Sequence, residues 1–174
     1  MKTTVNNLYG PNAPKRRRAL DTNTHYEYFV NVKYDSTPLS EPLQIHFFVG
    51  PVPQNPSSWA TAATLAGTFP AGSHTDNTQV GQVALTDALD GVQIPNLSPK
   101  HVVPYLKANL NYRVQKPDDT VLDNKDVPGL KVAVVGQLVK QPASAGQFPK
   151  YGPIEEFADA TPNIVGGLKP GQTM

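Results

Sequence analysis

The chain has 174 residues and a mass of 18.8 kDa, room for one domain of ordinary size. Charged residues are scarce at 17% and Pro is abundant at 18 residues; because Pro breaks helix interiors and central strands alike, a helical bundle is excluded in favour of short strands and many turns. There is no Cys, which excludes a disulfide framework, a zinc knuckle and a thiol nucleophile, and the net charge of +1 is distributed unevenly.

Residues 1–25 read as a linker. Lys2, Lys15, Arg16, Arg17 and Arg18 fall here with no acid before Asp21, among Pro11, Pro14 and several Asn. From residue 19 onward the chain holds ten Lys or Arg against fourteen acids, a net of −4. That mildly acidic body is a poor partner for nucleic acid. Four consecutive basic residues in Pro-flanked chain read either as a plain solvated charge run or as the site of a processing protease, because nicking concentrates in exposed segments. The N-terminus has no apolar h-region, and no run approaches the roughly 18 apolar residues of a membrane span. The expectation is a cytoplasmic chain with no membrane contact, or a piece whose targeting signal lies elsewhere.

Tyr26, Tyr28, Val30, Val32 and Tyr34 alternate with Glu27, Phe29, Asn31 and Lys33, a period of two that predicts a strand. Ser36-Thr37-Pro38 turns the chain, and Leu43, Ile45, Phe47 and Val49 form a second strand, closed by Gly50-Pro51. Trp59 to Ala66 is ambiguous between a turn and a short helix, followed by a strand at 65–69. A polar loop over 70–78 leads to a strand at 80–85, and Thr86 is placed to cap a short turn. Ser98-Pro99 marks a helix start, with Pro104 expected to hold it to about one turn. Strands follow at 110–114 and 120–122, joined by the turn Lys116-Pro117-Asp118-Asp119. The most apolar run, 130–139, is the expected central strand. The Pro- and Gly-rich remainder from Gln141 is expected to wrap the surface or fray, with a flexible tail over 153–174. Together these predict an all-β fold, an antiparallel Greek-key β-sandwich with little helix, over residues 26–152.

Catalytic patterns are weak. His25, His46, His74 and His101 show no metal-ligand spacing. Ser73-His74 with Asp76 lacks a nucleophile elbow. Asp118-Asp119 and Glu155-Glu156 read as turn and surface residues rather than an acid–base pair. No catalytic residue, metal ligand or cofactor is expected within this chain.

Several segments carry a resemblance: Tyr26 to Val32, Ile45 to Gly50, Val83 to Leu89, His101-Val102-Val103-Pro104-Tyr105-Leu106-Lys107 ahead of Leu110-Asn111-Tyr112-Arg113-Val114, and Leu130 to Val134. In order and spacing they resemble the C-terminal domain of fungal tyrosinases (polyphenol oxidases), over roughly residues 26–152. Tyr9-Gly10 resembles the motif that closes the family's catalytic domain, and Lys15, Arg16, Arg17 and Arg18 the protease-sensitive junction after it. The resemblance implies a missing helical catalytic domain in which six histidines bind two copper ions, hydroxylating monophenols and oxidising diphenols to quinones on the way to melanin. It implies that this domain covers that copper site and keeps the oxidase latent until the linker is cleaved, with a bulky side chain plugging the entrance. Phe69, beside Pro70 at a strand end, is the candidate plug, the alternative being that it packs on the sandwich edge. Trp59 reads as a core anchor. The Cys-x-x-Cys pair that some members carry for copper loading is absent. Outside the resemblance, the competing reading is a stand-alone β-sandwich binding module without catalytic activity.

Overall fold

Tyr28, Val30, Val32 and Tyr34 all turn one way out of their strand and are buried, while their neighbours face the other way, as the pleat requires. The computed structural model describes residues 24–72, 77–142, 144 and 146–174. Their strands are β1 (Thr24–Asp35), β2 (Leu43–Val49), β3 (Leu65–Ala71), β4 (Thr78–Ala84), β5 (Leu110–Gln115), β6 (Val121–Leu122), β7 (Lys131–Lys140) and β8 (Lys150–Glu156). They form two four-stranded sheets, ordered β4-β1-β7-β8 and β3-β2-β5-β6. Every strand pairing is antiparallel. The chain crosses repeatedly between the sheets, so three of the six neighbouring pairs, β1 with β4, β1 with β7 and β2 with β5, are not consecutive in sequence. The all-β sandwich is the architecture that the alternating patterns predicted, and β7 is an interior strand between β1 and β8.

The core lies between the sheets, with Val30, Val32, Val132 and Val134 on one side and Ile45, Phe47, Tyr112 and Val114 on the other. Each such side chain contributes about 1.5–3 kcal/mol of burial. Three core tyrosines carry their hydroxyls to loop carbonyls. Tyr28 Oη donates to Leu97 O at 2.8 Å, Tyr34 Oη to Gly72 O at 3.0 Å and Tyr112 Oη to Val165 O at 2.8 Å. Burial pushes the hydroxyl pKa values of Tyr28 and Tyr112 far above the ordinary phenol value, so both stay neutral donors.

Two helices fill the link between β4 and β5: α1 (Thr86–Asp90) and α2 (Pro99–Asn109). Thr86 does not cap α1. Its Oγ1 accepts from Tyr28 N at 2.9 Å and ties the helix start to β1. Helix α2 runs straight through Pro104, well past the single turn expected. Pro104 and Lys100 are both exposed, on the side of the helix where a carbonyl left without its helical donor is least costly, while Val102 and Leu106 anchor the helix in the core.

The tail expectation gives way as well. Beyond residue 152 the chain completes β8 and then stays against β7. Phe157 N donates to Val134 O at 2.8 Å, Val132 N to Gly166 O at 2.8 Å and Leu168 N to Val132 O at 3.1 Å. Ala160 and Leu168 are buried at 2% exposure. These anchors follow no period of two or 3.6, so Pro and Gly dominate the sequence pattern and hide them.

Candidate functional site

The three described histidines lie in separate places. His46 leaves β2 on the face away from the core yet is 1% exposed, because the 3-10 turn Pro56–Thr61 lays Trp59 over it with ring centroids 6.0 Å apart. Asn55 starts that turn, its side chain accepting from Ser57 N at 3.1 Å, and Trp59 Nε1 donates to Pro53 O at 2.8 Å. Gln115 Nε2 donates to Asp119 Oδ1 at 3.1 Å, leaving Gln115 Oε1 to accept from His46 Nε2 at 3.0 Å. The Thr68 hydroxyl then donates to His46 Nδ1 at 2.8 Å. Burial holds the His46 pKa below its usual value, partly offset by the Gln115 bond. Every polar atom of this ring has a partner in its neutral form, which marks a structural histidine.

His101 sits on the first turn of α2, its Nδ1 near Asn96 Oδ1 (2.9 Å) and Ser98 Oγ (3.1 Å). His25 Nε2 lies 3.3 Å from Glu27 Oε1. Among the described residues no group of three His, Cys, Asp or Glu is placed to hold a metal ion. These histidines do not fit a copper pair: two are committed to local hydrogen bonds in the fold and the third to a neighbouring carboxylate. His74, the junction pair Tyr9 and Gly10, and the basic run Lys15, Arg16, Arg17 and Arg18 lie outside the described residues.

Phe69 is described, and its ring is turned into the molecule. It meets Tyr34 edge-on with centroids 6.0 Å apart and covers the backbone of Gly81 on β4. A Cβ built on Gly81 would fall 2.0 Å from Phe69 Cε2, closer than real side chains come. Gly67 faces β4 in the same way, its notional Cβ 2.7 Å from Val83 Cγ1. Two glycines thus let β3 and β4 close this corner of the sandwich, with Phe69 as its partly buried filling.

Among the described residues the most exposed large apolar side chain is Phe148, at 91% exposure. It lies in the loop joining β7 to β8, where Lys140 and Lys150 are the last paired residues. Tyr151 (61%) and Ile154 (70%) follow on β8. Tyr151 pairs with Val139 and Ile154 with Gln137, so both take the face away from the core. Leu138 continues the inward series of Val132 and Val134, but at 38% it is exposed where they are not. Its partner across the ladder is Tyr26, whose hydroxyl reaches Glu155 Oε1 at 3.3 Å. The end of this hairpin therefore carries apolar side chains on both faces. The sequence offered a signal that the local reading passed over: Phe148-Pro149 repeats the Phe-Pro pair of Phe69-Pro70.

The family model described as the tyrosinase C-terminal domain matches residues 27–134, nearly the span from β1 through β7. A tyrosinase from Neurospora crassa is 26% identical over 131 residues, 65% of this chain and 19% of that protein. A structure of recombinant mushroom tyrosinase matches with a TM-score of 0.59 at 21% identity, covering 79% of this chain and 26% of that one. A second structure, of latent and active mushroom tyrosinase, gives 0.58 at 22% identity, covering 77% and 25%. At that identity the two structures bear on the fold alone. The chain thus spans about a fifth of the Neurospora protein and about a quarter of the mushroom chains.

Proposed function

The chain belongs to the tyrosinase C-terminal domain family, and on that premise we propose that it is the regulatory domain of a larger type-3 copper tyrosinase. In this reading it covers the dicopper site of a preceding catalytic domain and keeps the phenol oxidase latent until the linker is cleaved. The observation that carries the proposal is the family match running through most of the sandwich, 27–134.

The described histidines support assigning the coppers to the preceding domain rather than to this chain, since each is engaged elsewhere. The role left to this chain is steric. A domain tethered to its target meets it at an effective concentration near millimolar, so a weak contact suffices to stay closed. Cutting at Lys15 to Arg18 removes that advantage and releases the site. Phe69 remains the plug suggested by sequence, although its packing over Gly81 requires it to leave a filled slot before it enters a partner's pocket.

The size of the native product tests this reading. An antibody against residues 26–152 is expected to detect a precursor several times larger than this chain, with a processed band. A single band at the size of this chain, with no precursor, would favour the stand-alone binding module instead.

A further inference from the structure

We propose that the loop end of the β7–β8 hairpin and the adjoining stretch of β8, with Phe148, Tyr151 and Ile154, form the surface by which this domain docks on the catalytic domain; this rests on the tyrosinase reading above. Three observations converge. Phe148, Tyr151 and Ile154 are large apolar side chains at 91%, 61% and 70% exposure, gathered on one hairpin, and exposed apolar clusters of this kind mark interaction sites. Leu138 adds apolar surface on the opposite face of the same hairpin, so the feature is shaped to enter a groove rather than to lie on a flat surface.

The second observation is where the tether arrives. Thr24, the first residue of β1, is the ladder partner of Lys140, and Lys140 is the partner of Lys150. The chain from the catalytic side therefore joins the sheet at the hairpin end that bears Phe148. The stretch 11–23 spans at most about 45 Å even fully extended. A domain held on that leash is tied to the end of the sandwich that bears the hairpin loop.

The third observation decides how the surface is used. An edge strand such as β8 invites strand addition by another chain. Here Pro153 lies within β8 and the ladder shifts register between Gln137 and Val139. A missing N–H and a bulge blunt edge pairing. Contact through the apolar side chains is what remains, and Glu155 and Glu156 on the same strand oppose stacking of like edges in parallel.

The experiment uses the full-length precursor. The double variant Phe148→Asp, Tyr151→Asp is expected to raise the diphenol oxidation rate of the uncleaved protein by about tenfold or more, as loss of central interface anchors would. Val121→Asp, on β6 of the other sheet and 43% exposed in the wild type, is expected to leave it latent. Both variants change surface residues, and an unchanged melting temperature shows that each is folded. Hydrogen exchange supplies an independent readout: amides of residues 150–156 are expected to be protected in the precursor and released on cleavage. A latent wild type whose double variant stays latent, with no protection at 150–156, overturns the docking surface and leaves the shielding reading intact. A wild type already fully active before cleavage overturns shielding, and the exchange pattern then decides the docking surface alone. A precursor dimer that the double variant dissolves also overturns the proposal, because the occupant is then a second copy.

Discussion

Gly81 and Phe69 provide a sharp test of how the sandwich closes. Gly81→Ala would place a Cβ 2.0 Å from Phe69 Cε2 and 2.7 Å from Cζ. The ring must then leave its slot beside Tyr34 or β4 must move, an overpacking cost of about 1–3 kcal/mol. Phe69→Ala empties the same slot. A fully buried Phe→Ala costs about 3–5 kcal/mol, and because Phe69 is only partly buried the expected loss is about 2 kcal/mol. In a chain of this size that lowers the melting temperature by about 4–8 °C. The two changes compensate: with the ring gone, the methyl added at position 81 enters vacated space, and Gly81→Ala is expected to cost almost nothing in the Phe69→Ala background. Urea denaturation of the wild type, both single variants and the double variant measures this coupling directly. Equal costs of Gly81→Ala in both backgrounds would refute the placement of Phe69 over β4, and would free Phe69 for the outward role suggested by its sequence.

Other outcomes follow from single contacts. Pro104→Ala restores an N–H inside α2 at an exposed position and is expected to stabilise the domain by about 1 kcal/mol or more, read as a higher urea midpoint. Tyr112→Phe removes the bond to Val165 O and is expected to cost about 1 kcal/mol, with faster hydrogen exchange at Val132 and Leu168, whose amides hold the C-terminal segment. His46 has a folded pKa lowered below 6.5 by burial. The unfolded chain therefore binds more protons below pH 6.5, and stability present above that pH is lost as the pH falls from 6.5 toward the folded pKa. Urea midpoints at pH 7.5 and 5.5 are expected to differ less in His46→Gln than in the wild type.

What the sequence revealed depended on where the information lay. β1 and β2 were legible because Tyr28 to Tyr34 and Leu43 to Val49 write a period of two directly into the chain. Trp59 was legible as an anchor because a buried indole N–H needs an acceptor, here Pro53 O. The length of α2 was not, because whether Pro104 stops a helix depends on whether the carbonyl it abandons faces water. The segment after Phe157 was hidden because its anchors, Ala160 and Leu168, lack a repeating pattern. Phe69 and Phe148 were indistinguishable: each precedes a Pro between small or polar residues. Their opposite fates are set by Gly81 for one and by the end of a hairpin for the other, information that exists only once the sheets are assembled.

The central claim, that this domain silences an oxidase to which it is joined, is tested most directly by the diphenol oxidation rate of the full-length precursor before and after cleavage at Lys15 to Arg18. The account predicts a low rate before cleavage and a sharp rise after it, abolished when Lys15, Arg16, Arg17 and Arg18 are all replaced by Gln. A precursor that oxidises diphenols equally well before and after cleavage would contradict it.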